Sequence, residues 1–325
     1  MKRYTYPFLL LSLLGLVACK QSEPSPAYAI AIHGGAGTIL KEDMSPELEN
    51  AYRLSLDSAL TIGEAVLKNG GSALDAVEQT ILFLEDSPLF NAGKGAVLTY
   101  EGFAELDASI MDGATQNAGA VGGVRTLRNP IRGARAVMEQ SPHVFLSGPG
   151  ADQFGAEKGL DTVANSYFYT PRRIEEWKET HPDTTPAYLG TVGCVALDQK
   201  GNLAAGTSTG GMSDKRYNRI GDSPVIGAGT YADNATCAVS CTGHGEFFIR
   251  YAVAHDLSSR IAYLQEDVQT AADHIIKKSL LEKGGSGGLI ALDRKGRVAM
   301  PFNTPGMYRG YAKPGERYVG IYMEE

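Results

Sequence analysis

The sequence carries no excess of positive charge: across 325 residues Lys and Arg number 30 against 37 Asp and Glu, a net charge of −7. A phosphate-binding surface needs a basic patch, so nucleic acid is excluded as an expected partner. The four cysteines show no CxxC pair and no His/Cys spacing suited to zinc. No GxxxxGK[ST] or HExxH occurs, and the six histidines show no ligand spacing, so neither a nucleotide loop nor a metal-dependent hydrolase is indicated. Disorder-like composition is confined to the ends, and 43% hydrophobic with 21% charged residues describes a chain with an ample core.

Long apolar runs are missing too. The longest, Phe8 to Val17, follows Lys2 and Arg3 and is too short to span a bilayer, so it reads as a secretory leader. It ends in Leu16-Val17-Ala18-Cys19, which resembles the lipobox of bacterial lipoproteins, with an ordinary cleaved signal as the alternative. The expectation is a signal over 1–19, lipidation at Cys19, a polar tether over 20–27, and an exported protein held at the periplasmic or cell-surface membrane by its lipid alone. Cys194, Cys237 and Cys241 remain as small core residues. Cys237 and Cys241 would share one strand face, too far apart to bridge.

Tyr28 to Ile32 reads as a strand entering the glycine turn His33 to Gly37. Ser45-Pro46-Glu47 opens a helix that Asn69-Gly70-Gly71 closes, Ser72 with Asp75 starts a second, and Asn129-Pro130 a third. Ala96 to Thr99, Ala104 to Met111 and Ala118 to Val124 read as short strands. Two similar hairpins follow, Thr191 to Thr209 and Gly288 to Ala299, with helices expected over Gly245 to Leu257 and Val268 to Leu281. This grouping predicts an α+β fold with helices outside two packed sheets.

The break in the pattern is the loop from about Glu176 to Gly190, which carries His181-Pro182-Asp183-Thr184-Thr185-Pro186 and runs into the apolar strand that Thr191 begins. A threonine hydroxyl needs an adjacent base, and its own α-amine becomes one once the preceding bond is cut. Glycine at 190 tolerates the strained backbone of such a cut. Thr209 falls opposite Thr191 across the first hairpin. Arg219 and Asp222 suit the carboxylate and ammonium of an amino acid. Thr242-Gly243-His244-Gly245 precedes a helix and can face an anionic oxygen.

In this order, Gly190-Thr191-Val192-Gly193, Thr207-Ser208-Thr209-Gly210-Gly211-Met212, Gly221-Asp222-Ser223-Pro224 and Thr242-Gly243-His244-Gly245-Glu246 resemble the N-terminal-nucleophile family of isoaspartyl peptidases and plant-type L-asparaginases. His33-Gly34-Gly35-Ala36-Gly37, Leu89-Phe90-Asn91-Ala92-Gly93, Leu106 to Met111 and Asn129-Pro130-Ile131 extend the likeness through the first half. Tyr217-Asn218-Arg219-Ile220 departs from the usual Gly-Arg-Val but keeps the arginine.

The resemblance implies a four-layer αββα sandwich that cuts itself into an α subunit, 28–190, and a β subunit, 191–325, and pairs as a dimer of αβ units. It implies Thr191 as nucleophile, Thr209 as its aid, and Asn91 beside it. Arg219, Asp222 and Gly245 then belong to the substrate pocket, and Thr242 with Gly243 to the oxyanion hole. No catalytic cofactor is implied. A structural sodium ion is, on the main-chain carbonyls of Leu84, Glu85, Ser87, Phe90, Ala92 and Lys94. The expected substrates are L-asparagine and β-aspartyl dipeptides, with release of L-aspartate. A glycosylasparaginase and, from another class, a lipid-anchored amino-acid-binding receptor are the alternatives.

Overall fold

The structure, a computed structural model, describes residues 1, 2, 27–180 and 190–324. The expected leader with Cys19, most of the tether, and residues 181–189 of the loop lie outside the described residues.

Two-residue alternation sets the layers. In β1 (Ala29–Gly37), Ile30 and Ile32 belong to one apolar cluster while Ala29 and Ala31 belong to another. In β5 (Val192–Leu197), Cys194 and Ala196 join the first cluster, and Val195 and Leu197 the second. Strands apolar on both faces must be covered on both. The first face is covered by α1 (Pro46–Lys68), α2 (Ala73–Asp86) and α3 (Pro130–Gln140), through Leu56, Leu60, Val77, Ile81 and Ile131.

The second face meets another sheet. There Ala238 of β8 (Cys237–Gly243) and Ile290 and Leu292 of β9 (Gly287–Asp293) pack against the alanines of β1. The opposite side of that sheet, Cys237, Val239, Cys241 and Leu289, packs on α6 (Gly245–Arg250), α7 (Val253–Leu264) and α8 (Val268–Asp273), which continues as a π-helical turn over His274–Leu280. Helix, sheet, sheet and helix thus form the expected α+β sandwich.

The first sheet also holds β2 (Leu106–Asp112), β3 (Ala118–Val124), β4 (Phe145–Ser147), β6 (Leu203–Thr209), β11 (Gly306–Lys313) and β12 (Glu316–Tyr322). Among the described residues its order is β12-β11-β1-β5-β6-β2-β3-β4, antiparallel except for β3 with β4. The second runs β10 (Val298–Ala299), β9, β8, β7 (Thr230–Ala232). The anticipated caps are present: the Ser45 hydroxyl accepts from the Leu48 N–H at 3.2 Å, and that of Ser72 from the Asp75 N–H at 3.1 Å.

Three elements differ from expectation. The glycine turn expected over His33 to Gly37 is the second half of β1, which stays paired with β11 across a bulge between His33 and Gly35. Ala96 to Thr99 is a loop, because its N–H groups are taken locally, Val97 by the Asn91 Oδ1 at 2.9 Å and Thr99 by the Phe103 carbonyl at 2.8 Å. The helix expected over Gly245 to Leu257 is split into α6 and α7 by Ala252, whose left-handed backbone (φ 46°) turns the chain. Helices α4 (Gly148–Glu157) and α5 (Pro171–Thr180) complete the first half.

Candidate active site

Thr191 sits one residue ahead of β5, in the middle of the large sheet. Val192 pairs with Ser208, so the next rung sets Thr191 beside Thr209, and the Thr191 hydroxyl donates to the Thr209 Oγ1 at 3.1 Å. Thr209 also accepts from the Gly211 N–H at 2.9 Å. Asn91 braces that turn: its Nδ2 donates to the Gly211 carbonyl at 2.8 Å, and its own carbonyl accepts from Gly210 at 3.1 Å. It positions Thr209 through the loop.

Behind Thr191 stands His33, which the sequence leaves in a glycine turn and the fold buries between the sheets. Its Nδ1 lies 3.0 Å from the Thr191 carbonyl and its Nε2 2.9 Å from the Ser240 hydroxyl. Burial holds the imidazole down to about 3, so it is neutral. A carbonyl only accepts, so Nδ1 carries the proton and Nε2 accepts from Ser240. Ser240 meets Thr207 at 2.7 Å, and Thr230 and Ser109 continue the buried hydroxyl chain to the Ser223 carbonyl, 2.6 Å from Ser109. Sequence spacing could not reveal this chain, since His33 and Ser240 are 207 positions apart.

A cleft opens in front of Thr191, lined among others by Thr209, Arg219, Asp222, Thr242 and Gly243. Asp222 is buried, and its Oδ2 has no hydrogen-bond partner among the described residues. Burial pushes its carboxyl up to about 7, against the opposing pull of its own backbone N–H and of Arg219. Arg219 is held by Glu246, with Nε to Oε1 at 2.9 Å and Nη2 to Oε2 at 2.8 Å. This partner was not anticipated, although Glu246 closes the Thr242 motif. A Cβ on Gly245 would stand 2.8 Å from the Asp222 Oδ1 and 2.9 Å from the Arg219 Nη2, so glycine is needed there to keep both groups accessible.

Gly190 has a left-handed backbone, φ 56°, and the bulged part of β1 packs close to it: a Cβ on Gly35 would lie 2.1 Å from the Gly190 Cα. Below the cleft, Asp107 is the rung partner of Thr209, and the Lys215 Nζ lies 4.0 Å from its Oδ2 and donates to the Glu105 carbonyl at 2.9 Å. Burial raises the one group and lowers the other.

The segment 84–94 closes on itself. Gly93 takes φ 49°, and the Lys94 N–H donates to the Glu85 carbonyl at 2.7 Å. No cluster of three or more His, Cys, Asp or Glu side chains that could hold a metal ion occurs among the described residues. Gly284-Gly285-Ser286-Gly287-Gly288 has the spelling of a serine nucleophile elbow, but it runs into β9 where that motif needs a helix.

A model of the family described as Asparaginase matches residues 26–321. An isoaspartyl peptidase of Escherichia coli is 47% identical over 309 residues, covering 91% of this chain and 96% of its own. A probable isoaspartyl peptidase/L-asparaginase 2 of Arabidopsis thaliana is 41% identical over 315 residues, 88% of this chain and 95% of its own. An isoaspartyl peptidase/L-asparaginase of Homo sapiens is 42% identical over 299 residues, 90% and 95% respectively. Neither the glycosylasparaginase nor the receptor alternative draws support from these names. The exported, lipid-anchored address is corrected: similarity at this level runs from a bacterium through a plant to human, a spread that a bacterial lipid-anchoring system does not serve. No helix among the described residues is long and apolar enough to cross a membrane.

Proposed function

The chain belongs to the asparaginase family of N-terminal-nucleophile hydrolases, and on that premise we propose that it cuts itself before Thr191 and then hydrolyses β-aspartyl peptides and L-asparagine, releasing L-aspartate. The observation that carries this reading is one cleft lined by the hydroxyl pair Thr191 and Thr209, 3.1 Å apart, and by Asp222, whose Oδ2 has no hydrogen-bond partner among the described residues.

Self-cleavage begins with attack of the Thr191 Oγ1 on the Gly190 carbonyl carbon. The Gly190–Thr191 C–N bond breaks as the ester C–O bond forms, and water then hydrolyses the ester to give a Gly190 carboxylate and a free Thr191 amine. The left-handed Gly190 backbone, seated where Gly35 leaves no room for a side chain, sets the geometry in which this bond is presented to the hydroxyl. The products are the fragments 28–190 and 191–325, with whatever precedes residue 28. His33 holds the Thr191 carbonyl throughout.

The new amine, with a reference pKa near ~8, is partly neutral at pH 7 and takes the hydroxyl proton. The Thr191 oxygen attacks the side-chain carbonyl of the substrate. Thr209, which accepts from that hydroxyl at rest, rotates to donate to the oxygen as it loses its proton. Thr242 and Gly243 donate to the tetrahedral oxyanion. Ammonia or the peptide amine leaves with the proton from the Thr191 amine, and water then releases aspartate from the acyl-enzyme. Arg219 has N–H groups left over from Glu246 for the α-carboxylate, and Asp222 receives the α-ammonium. General-base action is worth about 10²- to 10⁴-fold and an oxyanion donor about 10²- to 10³-fold.

We propose further that the closed segment 84–94 would hold a structural sodium ion on the carbonyls of Leu84, Glu85, Ser87, Phe90, Ala92 and Lys94, carbonyl oxygens being the hard donors such a cation takes. Replacing sodium by choline in the buffer should then lower the melting temperature. Pairing of two αβ units belongs to the same reading and is checked by sedimentation.

The decisive experiment is Thr191→Ala, followed by intact mass and by turnover of asparagine and a β-aspartyl dipeptide. The variant should remain one chain and hydrolyse neither substrate. Two fragments from the alanine variant would overturn the scheme.

A further inference from the structure

A second, small recess adjoins the first and shares Ala36 and Gly190 with it. Gly190 is therefore a partition between the two. The second recess is lined by Tyr52, Tyr308, Phe90 and Arg172, whose side chains take no part in the reaction steps above. Tyr52 and Tyr308 stack with centroids 4.2 Å apart and planes 18° apart, and Phe90 stands edge-on to both, at 5.7 and 6.2 Å. The Arg172 Nη1 donates to the Tyr52 hydroxyl at 2.9 Å, and that hydroxyl donates to the Leu89 carbonyl at 3.0 Å, which fixes the rings and the guanidinium together. Arg172 and its buried neighbour Arg173 share the carboxylate of Glu176, each at 2.7 Å, so two positive charges meet one negative.

We propose that this recess is the subsite for the leaving residue of a β-aspartyl dipeptide, the ring cluster packing its apolar or aromatic side chain and Arg172 receiving its free carboxylate. The proposal rests on the function proposed above. Arg219 and Asp222 fix the aspartyl half on one side of Thr191, so the residue joined to the β-carbonyl projects past the nucleophile. Once the bond behind Gly190 is hydrolysed, this glycine becomes a chain end and the wall between the recesses can open. Asparagine, whose leaving group is ammonia, has nothing to put there. The favoured class is therefore the β-aspartyl dipeptide with a large apolar second residue and an unblocked carboxylate.

The test uses the self-cleaved enzyme and three substrates: β-aspartyl-phenylalanine, its C-terminal amide, and asparagine. In the wild type, kcat/KM for the acid should exceed that for the amide by about tenfold, the effect of one charge-assisted hydrogen bond at a half-exposed arginine. Arg172→Gln should collapse that acid-to-amide ratio toward one, and Arg172→Lys should restore part of it, since charge is kept and the fork is lost. Equal turnover of acid and amide by the wild type removes the subsite and needs no variant to show it. A fall of the same factor for both compounds in Arg172→Gln also removes it, since a purely structural role through Tyr52 would act that way. If asparagine and both β-aspartyl compounds go unhydrolysed, the underlying reading fails and the subsite with it, an outcome distinct from equal turnover.

Discussion

Asp222 concentrates the chemistry of the cleft in one atom, a buried carboxylate oxygen with no partner among the described residues and a carboxyl pushed up to about 7. Only the ionised form attracts an ammonium, so kcat/KM for asparagine should rise as pH increases through about 7. A free α-amine has a higher reference pKa, near ~8, so Asp222→Asn should erase the lower limb alone. A lower limb that persists in the variant would assign it to another group. Stability runs the other way. A carboxyl raised in the folded state contributes stability that is fully present below its unfolded pKa, about 4, and lost as pH rises through about 7. The wild-type melting temperature should accordingly fall across that window and the variant's much less, as calorimetry at several pH values would show. Asp222 was legible in the sequence because a fixed acid three residues from a fixed base in a turn is a local pattern. His33 was not, since what makes it important is a carbonyl 158 positions away.

At the scale of elements, the bulge of β1 at Gly35 leaves no room for a side chain beside Gly190, two residues ahead of β5. Gly35→Ala introduces a methyl where the Gly190 Cα now lies 2.1 Å away, on a backbone with φ 109° that side chains rarely adopt. Self-cleavage should slow by roughly tenfold or more, given about 1–3 kcal/mol of backbone strain, as read by the rate of fragment appearance on a denaturing gel. Cleavage at the wild-type rate would show that the bulge yields without disturbing the bond. Helices α1 and α2 could be read in advance because Ser45 and Ser72 are short-range signals whose hydrogen bonds lie three residues away. The break at Ala252 could not, because alanine in a left-handed conformation is imposed by packing and has no residue signature. Ala96 to Thr99 misled for a related reason: a short apolar run fits a strand, yet its donors were claimed by Asn91 and Phe103.

For the whole molecule, the layers were legible in two similar hairpins grouped with flanking helices, and that inference needed no knowledge of strand order. The order itself, with the C-terminal strands β11 and β12 returning beside β1, rests on pairings between distant segments that no local pattern encodes. The layering predicts a global property. Cys194 lies under the outer helices of the first half, and Cys237 and Cys241 lie under those of the second; burial raises all three thiols. Thiol reagents act on the thiolate, so the native protein should leave these residues unlabelled at pH 8 and denaturant should expose them together. Peptide mapping that found any of them labelled in native protein would show a layer opening on its own.

Within the large sheet, β1 belongs to the segment before Gly190 but is hydrogen-bonded on both sides to strands from after it, β11 and β5, while β6 binds β2 in the reverse sense. Scission after Gly190 would therefore release no strand from its neighbours, and the two pieces would stay clasped like interlocked fingers. They should travel as one body through gel filtration and come apart only when the protein is unfolded.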